Sequence, residues 1–124
     1  MIPVLIKDVN PCEILGGFVQ KYRVFRFVFK ENATPPEKYH YPRAEHCITF
    51  YVKDIQRFRF LDSTAICSFP RSVTVGMFNT PVIRYGGNDF LAVKVVLHTT
   101  ALYRLTGFPT HQLTNTFIDA EEVF

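Results

Sequence analysis

Between Leu91 and Pro109 the chain changes its period abruptly, and that change dictates local geometry. Leu91, Val93, Val95 and Leu97 alternate with Ala92, Lys94, Val96 and His98, the period of two expected of a strand with at least one face in a core. Thr99 or Thr100 then offers an oxygen as N-cap, Ala101 to Leu105 are mostly good helix formers, and Gly107-Phe108-Pro109 is a stop. The helix so predicted is only about two turns long and does not stand alone. Leu102, Leu105 and Phe108 are therefore expected to pack on the sheet, with Arg104 exposed.

Alternation runs through most of the chain. Tyr22 to Phe29 places Phe25, Phe27 and Phe29 on one face and Val24, Arg26 and Val28 on the other. Ile48, Phe50 and Val52, then Phe58 with Phe60, then Val73, Val75 and Met77, then Val82 to Tyr85, then Phe90 to His98 give further strands. Tyr85-Gly86-Gly87-Asn88-Asp89 reads as a tight hairpin between the last two, because Gly and Asn tolerate positive φ. Thr34 to Lys38 is a proline-marked loop, and Ser68 to Ser72 a turn. Asn10 to Gly17, with Pro11 and two glycines, predicts one helical turn plugging an end of the fold. The predicted class is mainly β: a small antiparallel barrel or sandwich with a few short helices, chiefly near the C-terminus.

A length of 124 residues, nearly half of them apolar, sets one domain over residues 1–124 with a single core. No run of about eighteen apolar residues predicts a spanning helix, and Ile2 to Ile6 is too short for a signal-peptide core, so a soluble cytoplasmic protein is expected. Cys12, Cys47 and Cys67 are widely spaced and form no CxxC; unpaired thiols are expected. A net charge of +3 does not by itself imply nucleic acid. Asp119 and Glu122 have capping-box spacing before Val123 and Phe124, so a helix is expected to begin there and to continue in a longer parent chain.

The segment Val95 to Pro109, including Leu102-Tyr103-Arg104-Leu105 and Gly107, resembles the end of the N-terminal domain in one branch of AraC-like bacterial transcription regulators, as do Leu113-Thr114-Asn115 and the acidic Asp119 to Glu122. Pro11, Phe18-Val19 and Tyr22 match the opening of that domain more weakly, and Gly76 stands where relatives keep a glycine. The chain departs from the pattern at Thr99-Thr100-Ala101, where Pro and Gly are common, and lacks the Asp-Gly turn expected near Tyr41 to Arg43. The resemblance implies a cupin-like regulatory domain that senses a small-molecule effector, dimerises, or both, with DNA bound only through a helix-turn-helix half beyond residue 124.

The residues themselves offer no catalytic set. Ser63, Ser68 and Ser72 lie outside any Gly-x-Ser-x-Gly elbow, and no glycine-rich phosphate loop precedes a helix. His46 and Cys47 are strand neighbours that point to opposite faces, and His40, His46, His98 and His111 form no recognised metal spacing. No cofactor and no metal are expected. Lys21, Arg23, Arg26 and Lys30 interleave with aromatics as an RNA-stacking sheet would, but Arg26 and Lys30 fall on the face opposite Phe25, Phe27 and Phe29.

Two readings of the strand ending at His98 stay open. Lys94 and His98 share a face with Phe90, Ala92 and Val96 and could line a pocket for an acidic or hydroxylated effector. The simpler reading, favoured because alternating strands usually keep one wet face, sends Leu91, Val93, Val95 and Leu97 to the core and Lys94 and His98 to solvent. Phe50, Lys94, His98 and Tyr103 are the candidate ligand contacts. The function expected is a non-catalytic effector-sensing or dimerisation domain of an AraC-like regulator, active as a homodimer without a membrane partner. A cupin-like metal-dependent enzyme and a stand-alone nucleic-acid or protein-interaction module are the alternatives.

Overall fold

The computed structural model describes residues 4–29, 38–40, 45–77 and 79–122. Two antiparallel sheets make up the architecture. The larger runs in the order β1 (Val4–Val9), β2 (Val19–Val28), β9 (Asp89–Leu97), β4 (His46–Lys53), β7 (Ser72–Val75) and β10 (Phe117–Asp119). The smaller runs β3 (Lys38–His40), β8 (Val82–Tyr85), β5 (Arg57–Phe60) and β6 (Cys67–Ser68). Neither sheet closes on itself, so of the two predicted forms the open, mainly β, antiparallel one is found.

The sheets pack through aromatics. Phe27, Tyr51, Phe90, Val73 and Val75 of the larger sheet meet Phe58 and Val82 of the smaller, with Phe69 between them. The Phe69 ring stacks on Phe58 at 4.7 Å between centroids and meets Phe117 edge-on at 4.9 Å, geometries that aromatic quadrupoles favour. This is where the period-two phenylalanines go: Phe25 and Phe27 lie on the face turned to the smaller sheet.

The opposite, outer face of the larger sheet carries a second core. Val19, Ile48 and Leu97 are capped there by Ala101 and Leu102 of α1 (Ala101–Thr106), by Leu113 of the 3-10 turn Thr110–Leu113, and by Ala120 of a second turn, Ala120–Glu122. The strand-to-helix junction forms where predicted. Thr100 is the N-cap, though its side chain makes no capping bond, and Gly107 closes α1 at φ 71° with its N–H on the Tyr103 carbonyl. Leu102 is buried and Arg104 exposed, as expected, with the Arg104 guanidinium 4.6 Å from the Phe18 ring centroid. Leu105 departs from expectation and is exposed. Gly107 ends α1 and turns the chain, and Phe108 and Leu113 beyond it pack into the outer core instead.

Four further expectations are corrected. Tyr85 and Asp89 do not flank a hairpin: β8 pairs with β3 and β5, β9 with β2 and β4, so the glycine segment crosses from one sheet to the other. Gly86 and Gly87 do not take positive φ. The N-terminal turn forms as Glu13–Leu15, but it buries none of its residues and Ile14 is exposed, so it plugs nothing. The candidate strand through Met77 stops at Val75, because Gly76 lies against Leu113. Asp119 does cap the C-terminal turn, accepting the Glu121 N–H at 3.0 Å, but the element is one 3-10 turn, with no reciprocal Glu122 bond among the described residues. The loop at 34–37 and the packing of Val123 and Phe124 lie outside the described residues. All three cysteines are unpaired, and no helix among the described residues is long and apolar enough to cross a membrane.

Candidate functional site

The inner face of the larger sheet carries charge where an all-apolar layer would suffice. β9 buries Phe90, Ala92, Lys94 and Val96 toward the smaller sheet, while Leu91, Val93 and Val95 are only half-buried. The expectation that Lys94 faces solvent is therefore overturned. The ladders on both sides of β9 fix this face, and Lys94 reaches a carboxylate that makes its burial tolerable.

Strand register places Lys94 in a row that crosses the sheet. Asp8 of β1 lies opposite Arg23 of β2, Arg23 opposite Lys94, Lys94 opposite Thr49 of β4, and Thr49 opposite Val73 of β7. Exposure falls along the row: 46% for the Asp8 side chain, 18% for Arg23 and 9% for Lys94, with Thr49 and Val73 buried. The next row out reads Ile6, Phe25, Ala92 and Tyr51, again from exposed edge to buried centre. Both rows run along the inner face from the exposed β1 edge to a buried centre beside aromatic side chains.

The charges are paired. Arg23 donates from Nε and Nη2 to the two Asp8 oxygens at 2.7 and 3.1 Å, a forked geometry that fixes the guanidinium. That bond holds the Asp8 carboxyl below its ordinary range and raises Arg23. Lys94 Nζ donates to Glu45 Oε1 at 2.6 Å. Glu45 precedes β4 by one residue and is held by no strand ladder. Lys21 Nζ lies 3.8 Å from Asp8. Three cations thus face two carboxylates, one net positive charge for this group among the described residues. Beside them burial pushes the Cys47 thiol and the Tyr51 phenol up, so both stay protonated.

The structure does not gather the four candidate contacts. Of the four, Lys94 alone lies on the polar row of the inner face. Phe50 is on the outer face of β4, opposite Val93 and exposed. His98 follows β9 and is exposed, its Nε2 2.9 Å from the Gly16 carbonyl oxygen. Tyr103 is exposed on α1. Asp8 and Glu45 were not singled out from the sequence as parts of a site, and Arg23 was weighed only with Lys21, Arg26 and Lys30 as an RNA-stacking strand. Arg23 carried a signal: it shares parity with Phe25 and Phe27, and a guanidinium on the aromatic side of a strand calls for a buried partner. No three His, Cys, Asp or Glu side chains among the described residues gather as a metal cluster would.

No family model matches the chain, and no curated protein does. Among solved structures, the chain is similar over 79% of its length to the crystal structure of cobalt(II) HppE in complex with Tris buffer, at 12% identity and a TM-score of 0.48. It spans 55% of that chain, about half its length. A likeness at this level carries no functional argument.

Proposed function

We propose that this chain is a non-catalytic regulatory domain of the AraC-like kind its C-terminal third resembles, and that it binds a small-molecule effector at the polar row on the inner face of the larger sheet. The observation that carries the reading is Lys94, buried in the middle of the sheet's inner face in a row of polar side chains that becomes exposed toward β1. A buried ion pair is a poor source of stability compared with well-packed apolar side chains. A cation fixed by two ladders and a carboxylate on a segment outside them is instead an arrangement suited to recognition. The protonated states of Cys47 and Tyr51 favour binding over covalent chemistry, since a neutral thiol is a weak nucleophile.

Effector binding regulates an attached DNA-binding half when it prefers one of two arrangements of the domain. Exposed Leu5, Val28, Phe50 and Val52 on the outer side of the sheet support the homodimer expected of such a regulator; sedimentation across a concentration series reads it directly.

The test is thermal unfolding of the protein with benzoate, citrate, benzylamine, benzyl alcohol or glucose at millimolar concentration. At least one compound raises the melting temperature, and the Lys94→Met/Glu45→Gln double variant, which removes both charges of the pair together, loses that response. A response equal in the double variant, or none with any compound, contradicts the reading.

A further inference from the structure

We propose that His46 makes the helical layer on the outer face of the larger sheet acid-labile: protonation of its ring releases α1 and the turn Thr110–Leu113 while the aromatic core between the sheets stays closed. This inference does not depend on effector binding.

The geometry leads to it. His46 opens β4 opposite Leu97, and its parity with Ile48 turns the ring to the outer face, where it is 5% exposed. The ring is hydrogen-bonded to the Thr99 backbone, next to the α1 N-cap Thr100, so it ties the sheet to the strand-to-helix junction. Its Nδ1 has no hydrogen-bond partner among the described residues. Thr74 of β7 lies opposite Ile48 and hence on the same face; it is 1% exposed, and its Oγ1 also lacks a partner among the described residues. Two desolvated, unsatisfied polar atoms thus lie beneath one thin layer, which lowers the cost of opening it. Few side chains hold that layer down. Of α1 only Ala101 and Leu102 are buried, the turn adds Leu113, and the Thr100 side chain makes no capping bond. So short a helix does not persist away from the sheet.

A proton on the buried ring meets no carboxylate among the described residues. On β4 Glu45 turns to Lys94 on the inner face. Toward His46, β9 presents Val95 and Leu97, β2 presents Val19 and the Tyr22 phenol, and β7 presents Thr74. On the covering elements Arg104 lies over the Phe18 ring and His98 on the Gly16 carbonyl, Tyr103, His111, Glu121 and Glu122 are exposed, and Asp119 caps its own turn. Burial lowers the proton affinity of the ring, and only the Thr99 bond opposes it. With the layer lifted, the ring reaches water and takes up its proton near the ordinary value of 6.5. Below that pH the open form binds more protons than the closed one, so acid favours opening.

Native-state hydrogen exchange of the whole chain, read by NMR and corrected for the intrinsic pH dependence of exchange, tests this. The layer is followed at the Arg104 and Gly107 amides, bonded to the Thr100 and Tyr103 carbonyls, and the sheet at the ladder amides of β9. The layer amides are less protected than the ladder, and their protection falls about threefold or more between about pH 7.5 and about pH 5.5. His46→Leu and His46→Gln, neutral at every pH, lose that fall, with circular dichroism confirming the fold of each variant. The His46 ring resonances of the wild type, which need no variant, titrate below 6.5. Layer amides as protected as the ladder, or unprotected already at neutral pH, overturn the proposal. So does protection that ignores pH, a fall that survives in either variant, or a ring that titrates at or above 6.5.

Discussion

Glu45 and His46 are neighbours in the chain and serve opposite sides of the larger sheet. The Glu45 carboxylate meets Lys94 on the inner face, while the His46 ring is buried beneath the outer layer, hydrogen-bonded to the Thr99 backbone just before α1. Within one residue the chain thus passes from an ion pair on the inner face to a contact with the strand-to-helix junction on the outer one.

His46 also sets a pH dependence. Its Nδ1 is buried without a hydrogen-bond partner among the described residues, and burial holds the ring below the ordinary value of 6.5. The unfolded chain takes up a proton at this site before the folded one does, so its contribution to stability is complete above pH 6.5 and declines as pH falls below it. Asp8 and Asp89 add a separate loss at lower pH, because Arg23 and Arg26 hold them below 3.8 and their contribution disappears as they protonate. Urea midpoints measured across pH are expected to show both declines, with His46→Leu removing the first and sparing the second.

Leu102 and Leu105 give opposite results although they lie on one short helix. Leu102 is almost wholly buried in the outer core, so Leu102→Ala costs about 2–5 kcal/mol. Leu105 is 47% exposed, and Leu105→Ala stays within about 1 kcal/mol. Chemical denaturation of the two variants checks the pair.

Gly76 is fixed by close approach. A Cβ built there falls 2.2 Å from the Leu113 carbonyl oxygen, whereas one on Gly17 meets nothing within 4 Å. Gly76→Ala therefore forces the turn Thr110–Leu113 off the sheet and costs at least about 1–3 kcal/mol, while Gly17→Ala is close to neutral. Thermal melts of both variants give the comparison.

Local features were legible in the sequence. Gly107 marks the end of α1 because the αL conformation is a property of one residue, and the phenylalanine alternation of β2 is a property of one strand. The face of β9 was not legible, because both sets of alternating residues are mostly apolar and both faces are covered at its end, where Val96 and Leu97 are buried together. The lysine broke the tie the wrong way: its partner Glu45 lies 49 residues earlier, and no local pattern announces it. Partner choice likewise defeated the expected hairpin at Gly86-Gly87, since turn chemistry says that the chain bends and not which sheet receives it. Arg23 could have been found from its parity with Phe25 and Phe27, and with it half of the charged row.

The most direct test of effector binding at the inner-face row is amide chemical-shift mapping of the isotope-labelled protein, titrated with the compound from the thermal panel that stabilises it most. Binding there predicts saturable shifts concentrated at Arg23, Phe25, Glu45, Thr49 and Lys94, the residues of the inner face. Saturable shifts confined to the outer face, around Phe50, Val52 and α1, with those inner-face amides unmoved, would contradict it.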